Sequence, residues 1–254
     1  MNRATRDHSS TTHEDQGRPS TSRDGFLKRL TAGCLMLVAV PLIAQCSPGQ
    51  SEDAAAADAE SSVPQEIQLF NGEDLSGWEY FLEDENATMA DVWSVEDGIL
   101  VCKGEPRGYL ATVDEYESFK LVVEWRWPEE PGNSGVLMRI AGEPEMLPSS
   151  VEAQLRSGSA GDMYGFQGFQ IGGDPERLSE ISIGWNLAKI AGNENAPGEW
   201  NRYEITVDGD HITVVLNGMV VNEATDCLVR PGKIGLQSEG GVVHFRTVTL
   251  TPIG

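Results

Sequence analysis

An antiparallel β-sandwich of the jelly-roll kind is the fold this sequence predicts, and three observations predict it. Short runs alternate between apolar and polar residues from about position 65 onward. Turn pairs such as Asp97-Gly98, Asp208-Gly209 and Asn217-Gly218 separate them. No stretch after Val63 sustains the i, i+3, i+4, i+7 apolar spacing of a helix over three turns. About a dozen short strands with turn signals at this density fit an all-β sandwich.

The elements follow in order. Ile67-Gln68-Leu69-Phe70 opens the domain, before the turn-rich Asn71-Gly72-Glu73-Asp74-Leu75-Ser76-Gly77-Trp78. Trp93-Ser94-Val95 and Ile99-Leu100-Val101-Cys102 flank an Asp-Gly turn, and Gly108-Tyr109-Leu110-Ala111-Thr112 forms another strand. Val122–Trp127, Gly135–Ile140 and Val151–Arg156 then alternate strictly. Successive side chains of a strand point to opposite faces. One face therefore carries Val123, Trp125, Trp127, Val136, Met138, Ile140, Val151, Ala153 and Leu155, a core. The other carries Glu124, Arg126, Arg139, Glu152, Gln154 and Arg156, expected as the floor of a polar groove or, equally, as exposed cross-strand ion pairs. Residues 157–196 are rich in Gly, Asn and aromatics and are expected as loops beside that groove. The strands Tyr203–Val207, His211–Leu216, Met219–Val221, Ile234–Gln237 and Val242–Arg246 close the chain.

Outside the strands, residues 30–44 form an apolar run behind Arg3, Arg6, Arg18, Arg23, Lys28 and Arg29. The run is too short for an ordinary transmembrane helix and fits a signal-peptide core. Cys34 has the better local lipoprotein consensus, but the apolar segment follows it. Cys46 stands after the segment, where a lipidated cysteine belongs, with cleavage by an ordinary signal peptidase as the alternative. Residues 1–45 are thus expected as a signal peptide and residues 46–64 as a disordered tether rich in Ser, Ala, Asp and Glu. Residues 65–254 form the domain of an exported, membrane-anchored lipoprotein, periplasmic or at the cell surface.

From Cys46 onward the chain holds 12 Lys and Arg against 36 Asp and Glu, a net charge of −24. Such a domain repels phosphate backbones, which argues against nucleic acid as a partner. His211 and His244 are the only histidines within the domain, which excludes a multi-histidine zinc site there. Cys102 and Cys227 are the domain's only cysteines; export permits a disulfide between them without establishing one.

Several blocks together carry a family resemblance. Leu69-Phe70-Asn71-Gly72-Glu73-Asp74-Leu75-Ser76-Gly77-Trp78, Trp93 to Leu100, Glu124-Trp125-Arg126-Trp127 and Asn133 to Arg139 come first. Val151 to Leu155, Ser157 to Asp162, Gly198-Glu199-Trp200-Asn201 and Ile234 to Gly240 follow in order. The set resembles the 3-keto-disaccharide hydrolase domain family, over essentially residues 65–250. Residues 163–169 depart from the family's pattern, as does Phe245-Arg246-Thr247-Val248.

The resemblance implies a concanavalin-like jelly roll that cleaves glycosides already oxidised at C3. A C3 ketone acidifies the C2 proton, so a base removes it and the C1 substituent departs; water then adds back. On that chemistry Glu152 is assigned as base, Arg139 as the cation stabilising the enolate, and Glu124 as acid or orienting partner. Gln154, Arg126, Asp162, Gln237 and Glu239 are assigned to the substrate, and Tyr164 and Trp185 to stacking on a sugar face. A structural Arg139–Glu152 ion pair is the alternative for that couple. Glu124, Glu152 and Asp162 are also candidate ligands for a divalent cation, which would do the work assigned to Arg139. The competing class is a non-catalytic, lectin-like carbohydrate-binding module. Two-carboxylate glucanases of this architecture carry Glu-x-Asp-x-x-Glu on one strand, whereas Glu152-x-Gln154 stands here, which argues against ordinary glycosidase chemistry.

Overall fold

The computed structural model describes residues 64–254. The apolar run, Cys34, Cys46 and the acidic stretch to Val63, on which export and anchoring rest, lie outside them. In chain order the strands are β1 (Ile67–Gln68), β2 (Trp78–Leu82), β3 (Trp93–Glu96), β4 (Ile99–Cys102), β5 (Gly108–Thr112) and β6 (Phe119–Arg126). There follow β7 (Gly135–Ala141), β8 (Ser149–Gln154), β9 (Met163–Phe166), β10 (Leu178–Ile181) and β11 (Gly184–Leu187). The last five are β12 (Asn201–Asp208), β13 (His211–Leu216), β14 (Met219–Ala224), β15 (Lys233–Ser238) and β16 (Val243–Pro252). One helical turn, α1 (Met89–Val92), precedes β3, its first turn closed by the Asp91 carboxylate accepting from the Thr88 amide at 2.8 Å.

All pairings are antiparallel and form two sheets. The first runs β14-β13-β12-β6-β16-β4-β3, with β1 added to β16; the second runs β10-β11-β9-β8-β7-β15-β5-β2. The expected antiparallel β-sandwich is the fold. Between the sheets, Leu121, Val123 and Trp125 of β6 and Tyr203 and Ile205 of β12 share one core with Val136 and Met138 of β7, Val151 and Ala153 of β8 and Leu236 of β15. This is the interior that period-two alternation predicts.

Two departures follow from what alternation does not encode. First, β6 lies in one sheet and β7 and β8 in the other, because residues 127–134 cross the sandwich. Glu124 and Arg126 therefore face outward from the first sheet. Second, β7 is interrupted by a bulge between Met138 and Ala141, where Arg139 takes φ +56°. An extra residue in a strand reverses the face of everything after it. Ile140, expected in the core, packs instead in a separate outer cluster with Tyr109, Ala111, Leu137 and Phe166. Gly232 runs against the bulge so closely that a β-carbon there would overlap the Arg139 backbone.

Arg139 is fully buried, and its guanidinium donates to the Glu117 carbonyl from Nε (3.0 Å) and Nη2 (2.7 Å). It also donates to the carbonyls of Leu228 (2.7 Å) and Gly209 (2.7 Å). Glu117 and Gly209 border strands of the opposite sheet, so Arg139 ties the two sheets together at one end. Cys102 and Cys227 are both free and buried. The disulfide weighed from the sequence does not form, and burial pushes the Cys227 thiol up to about 12.

Candidate active site

The outer face of the second sheet holds the candidate site. Its floor can be read from the register. Glu152 of β8 stands opposite Leu137 of β7 and Tyr164 of β9, while Gln154 stands opposite Gly135. Gln237 of β15 pairs with Tyr109 of β5. Glu152, Gln154, Tyr164 and Gln237 therefore share one face.

Gly135 lets the polar heads meet. A β-carbon at that position would overlap the Glu152 Oε1 and Gln237 Oε1 atoms, so the missing side chain is what admits both. Glu152 is 1% exposed and Gln237 fully buried. Among the described residues, no group hydrogen-bonds Glu152 Oε1, Gln237 Oε1, Gln237 Nε2 or Asn133 Oδ1. Buried polar atoms nearly always have partners, so the unpartnered Glu152 and Asn133 oxygens of the cavity lining, with the Gln237 amide beside Glu152, point to a ligand.

Burial pushes the Glu152 carboxyl well above its ordinary value of 4.5, and the negative charge of Glu239 adds to the rise. Glu239 is itself engaged. It accepts from Arg107 Nη2 at 2.8 Å and from Asn133 Nδ2 at 2.9 Å. The cavity, about 190 Å3, is lined on one side by Asn133, Glu152, Gln154, Arg156 and Glu239. Tyr164, Leu147, Phe166, Ile181 and Ile183 line the other. Gln154 Oε1 accepts from the Arg156 amide at 2.8 Å, and the Gln154 carbonyl accepts from the Tyr203 hydroxyl of the opposite sheet at 2.6 Å. These bonds fix the end of β8. Burial, then the charges of Asp162 and Glu152, raise the Tyr164 phenol, which stays protonated near neutrality.

Four of the residues assigned from sequence line this cavity, Glu152, Gln154, Tyr164 and Glu239, and the Gln237 head lies beside Glu152 over Gly135. The others do not join them. Arg139 spans the sheets, as above, and makes no pair with Glu152. Glu124, on the outer face of the first sheet, accepts from Arg246 Nε (3.0 Å) and Thr247 Oγ1 (2.6 Å). Arg246 holds its carboxylate below the ordinary range. Arg126 stacks on Trp200 with its guanidinium carbon 4.7 Å from the ring centroid. Asp162 Oδ1 accepts from the Lys189 amide at 2.9 Å and closes the loop after β8. Trp185 points to the other side of β11, into a separate cleft with Gln170, Leu178 and Asp226. Glu124, Glu152 and Asp162 thus do not converge as a cation site.

Sequence reasoning missed Asn133, Gly135, Arg107 and the apolar wall. A signal existed. Val136-Leu137-Met138 is an uninterrupted apolar run, the mark of a strand covered on both faces.

Solved structures share this architecture. A candidate glycosyl hydrolase from Parabacteroides distasonis superposes with a TM-score of 0.55 at 23% identity, covering 74% of this chain and 94% of its own. A β-glucanase from Bacillus licheniformis gives 0.53 at 14%, covering 76% and 100%. A carbohydrate-binding module from Bacillus subtilis gives 0.51 at 12%, covering 69% and 95%. The sandwich is thus a jelly roll. Among curated proteins, none matches the chain. The family match is direct: residues 65–251 fit the 3-keto-alpha-glucoside-1,2-lyase-like domain, and the chain belongs to that family.

Proposed function

We propose that this protein cleaves 3-keto-glycosides by removing the C2 proton with Glu152 and expelling the oxygen at C1. The observation that carries the reading is a buried carboxyl with an unpartnered oxygen, set in a cavity where Asn133 Oδ1 and, beside it, the Gln237 amide are also unpartnered. A carboxyl whose pKa is raised takes a carbon-bound proton better than an ordinary carboxylate does. In the step itself the C2–H electron pair becomes the C1–C2 double bond. The C1–O pair leaves with the departing oxygen, which is protonated to an alcohol, and nothing is oxidised or reduced. Gln237 Nε2, a buried donor with no partner, takes the role at the ketone oxygen that sequence reasoning assigned to Arg139. Asn133, Gln154 and Arg156 hold sugar hydroxyls. The Tyr164 phenol hydrogen-bonds the leaving oxygen.

A divalent cation at the ketone oxygen is the second reading. Glu152 Oε1, Gln237 Oε1 and Asn133 Oδ1 are three unpartnered oxygens of the kind hard cations take, and they favour it. When bound, such an ion supplies Lewis acidity. Export and a lipid anchor at Cys46 remain part of the proposal.

The test incubates purified protein with a 3-keto-disaccharide and its unoxidised parent in D2O, with and without a chelator. We expect turnover of the ketone alone, deuterium at C2 of the released sugar, and a loss of about 10²–10⁴ in Glu152→Gln. Equal turnover of the parent restores ordinary glycosidase chemistry. Binding of sugar without any cleavage restores the carbohydrate-binding reading.

A further inference from the structure

The cavity around Glu152 has two unlike halves. Asn133, Gln154, Arg156 and Glu239 offer hydrogen-bonding groups, whereas Leu147, Phe166, Ile181 and Ile183 offer none. The apolar half continues into the outer cluster of Tyr109, Ala111, Leu137, Ile140 and Phe166, against which Leu147 and Ile183 pack. It is also rigid. The Tyr164 and Phe166 rings stack with centroids 5.8 Å apart and planes 14° from parallel.

This arrangement is unusual for a site that would hold two sugars. A sugar bound by its oxidised ring at Glu152 uses the polar half. A second sugar in the other half would press most of its hydroxyls onto hydrocarbon, where they lose water and find a partner only in the Tyr164 phenol at the boundary. An apolar ring in the same place removes hydrocarbon surface from water on both sides.

We propose that the preferred substrate is a 3-keto-glycoside of an apolar ring, its aglycone seated against Leu147, Phe166, Ile181 and Ile183. The inference rests on the elimination reading for the sugar half and adds the identity of the leaving group.

Benzyl and methyl 3-keto-glucosides test it, because both release a simple alcohol and differ in the ring. A 3-keto-disaccharide of the same anomeric configuration is the third substrate. The benzyl compound is expected to exceed both others in kcat/KM by at least about tenfold, the discrimination an apolar pocket supplies. Ile183→Asn is expected to lower the benzyl-to-methyl ratio at least about fivefold. Equal benzyl and methyl values, or a disaccharide ahead of the benzyl compound, overturn the proposal. Calorimetric binding to Glu152→Gln separates the two layers of the argument. Tighter benzyl than methyl binding without turnover by the wild type refutes the elimination and retains the apolar subsite. Equal binding refutes the subsite whatever the turnover.

Discussion

Replacing Glu152 by Gln removes an ionisable group and keeps the shape, which lets the burial of this carboxyl be read as stability. In the folded protein its pKa lies well above 4.5, raised first by burial and then by Glu239. In the unfolded chain it titrates near that ordinary value. Above pH 4.5 the unfolded chain gives up this proton while the folded protein keeps it, so the unfolded state binds fewer protons. Wild-type stability therefore falls as pH rises from the unfolded value toward the folded one. Each pH unit within that window costs about 1.4 kcal/mol. Glutamine has no proton to lose, so the variant gains on the wild type by the same slope, and other titrating groups cancel in the difference. Urea denaturation of both proteins from about pH 4 to about pH 7 measures it. A stability difference that does not change with pH would mean that Glu152 is ionised within the fold, and the raised basicity on which the mechanism depends would be gone. Activity is expected to move oppositely. Wild-type rate is expected to rise with pH as Glu152 deprotonates, with a midpoint above that of an ordinary carboxylate, while the variant is nearly silent at every pH.

Two further outcomes are expected. Arg139→Met strips charged donors from three backbone carbonyls and lowers stability by about 3 kcal/mol or more, while kcat per folded molecule in Arg139→Lys stays near the wild-type value; a selective loss of kcat there would return Arg139 to the site. Metabolic labelling with a fatty acid is expected to mark the wild type and not Cys46→Ala, and a signal lost instead in Cys34→Ala would move the anchor to that residue.

Much of the fold was legible because the strand signal is local. Val123, Trp125, Met138 and Ala153 face the interior as their alternation requires, and Glu152 and Gln154 face away from it. Sheet membership is not local. Nothing in Glu124-Trp125-Arg126-Trp127 says that the chain crosses to the opposite sheet before Gly135, so Glu124 and Glu152 were placed on one floor when they stand on different sheets. The bulge at Arg139 is equally hidden, since Met138-Arg139-Ile140 alternates straight through it. Its cause lies far along the chain, where Gly232 brings its backbone against β7. The apolar wall escaped notice because Leu147 and Ile183 come from turns and Ile181 ends a four-residue strand, where isolated aliphatic residues carry no period.

Gly135 has a consequence that reaches past this one chain. At this position a hydrogen stands in place of a side chain, and the heads of Glu152 and Gln237 close over it. Any larger residue there would drive its β-carbon into the Glu152 and Gln237 heads on the outer face, so the sandwich would persist while those two heads were displaced. A relative with alanine or serine at this point would keep the architecture and lose the buried carboxyl's setting. The identity of this one position therefore offers a simple way to sort chains on this frame that can hold a buried carboxyl here from chains that cannot.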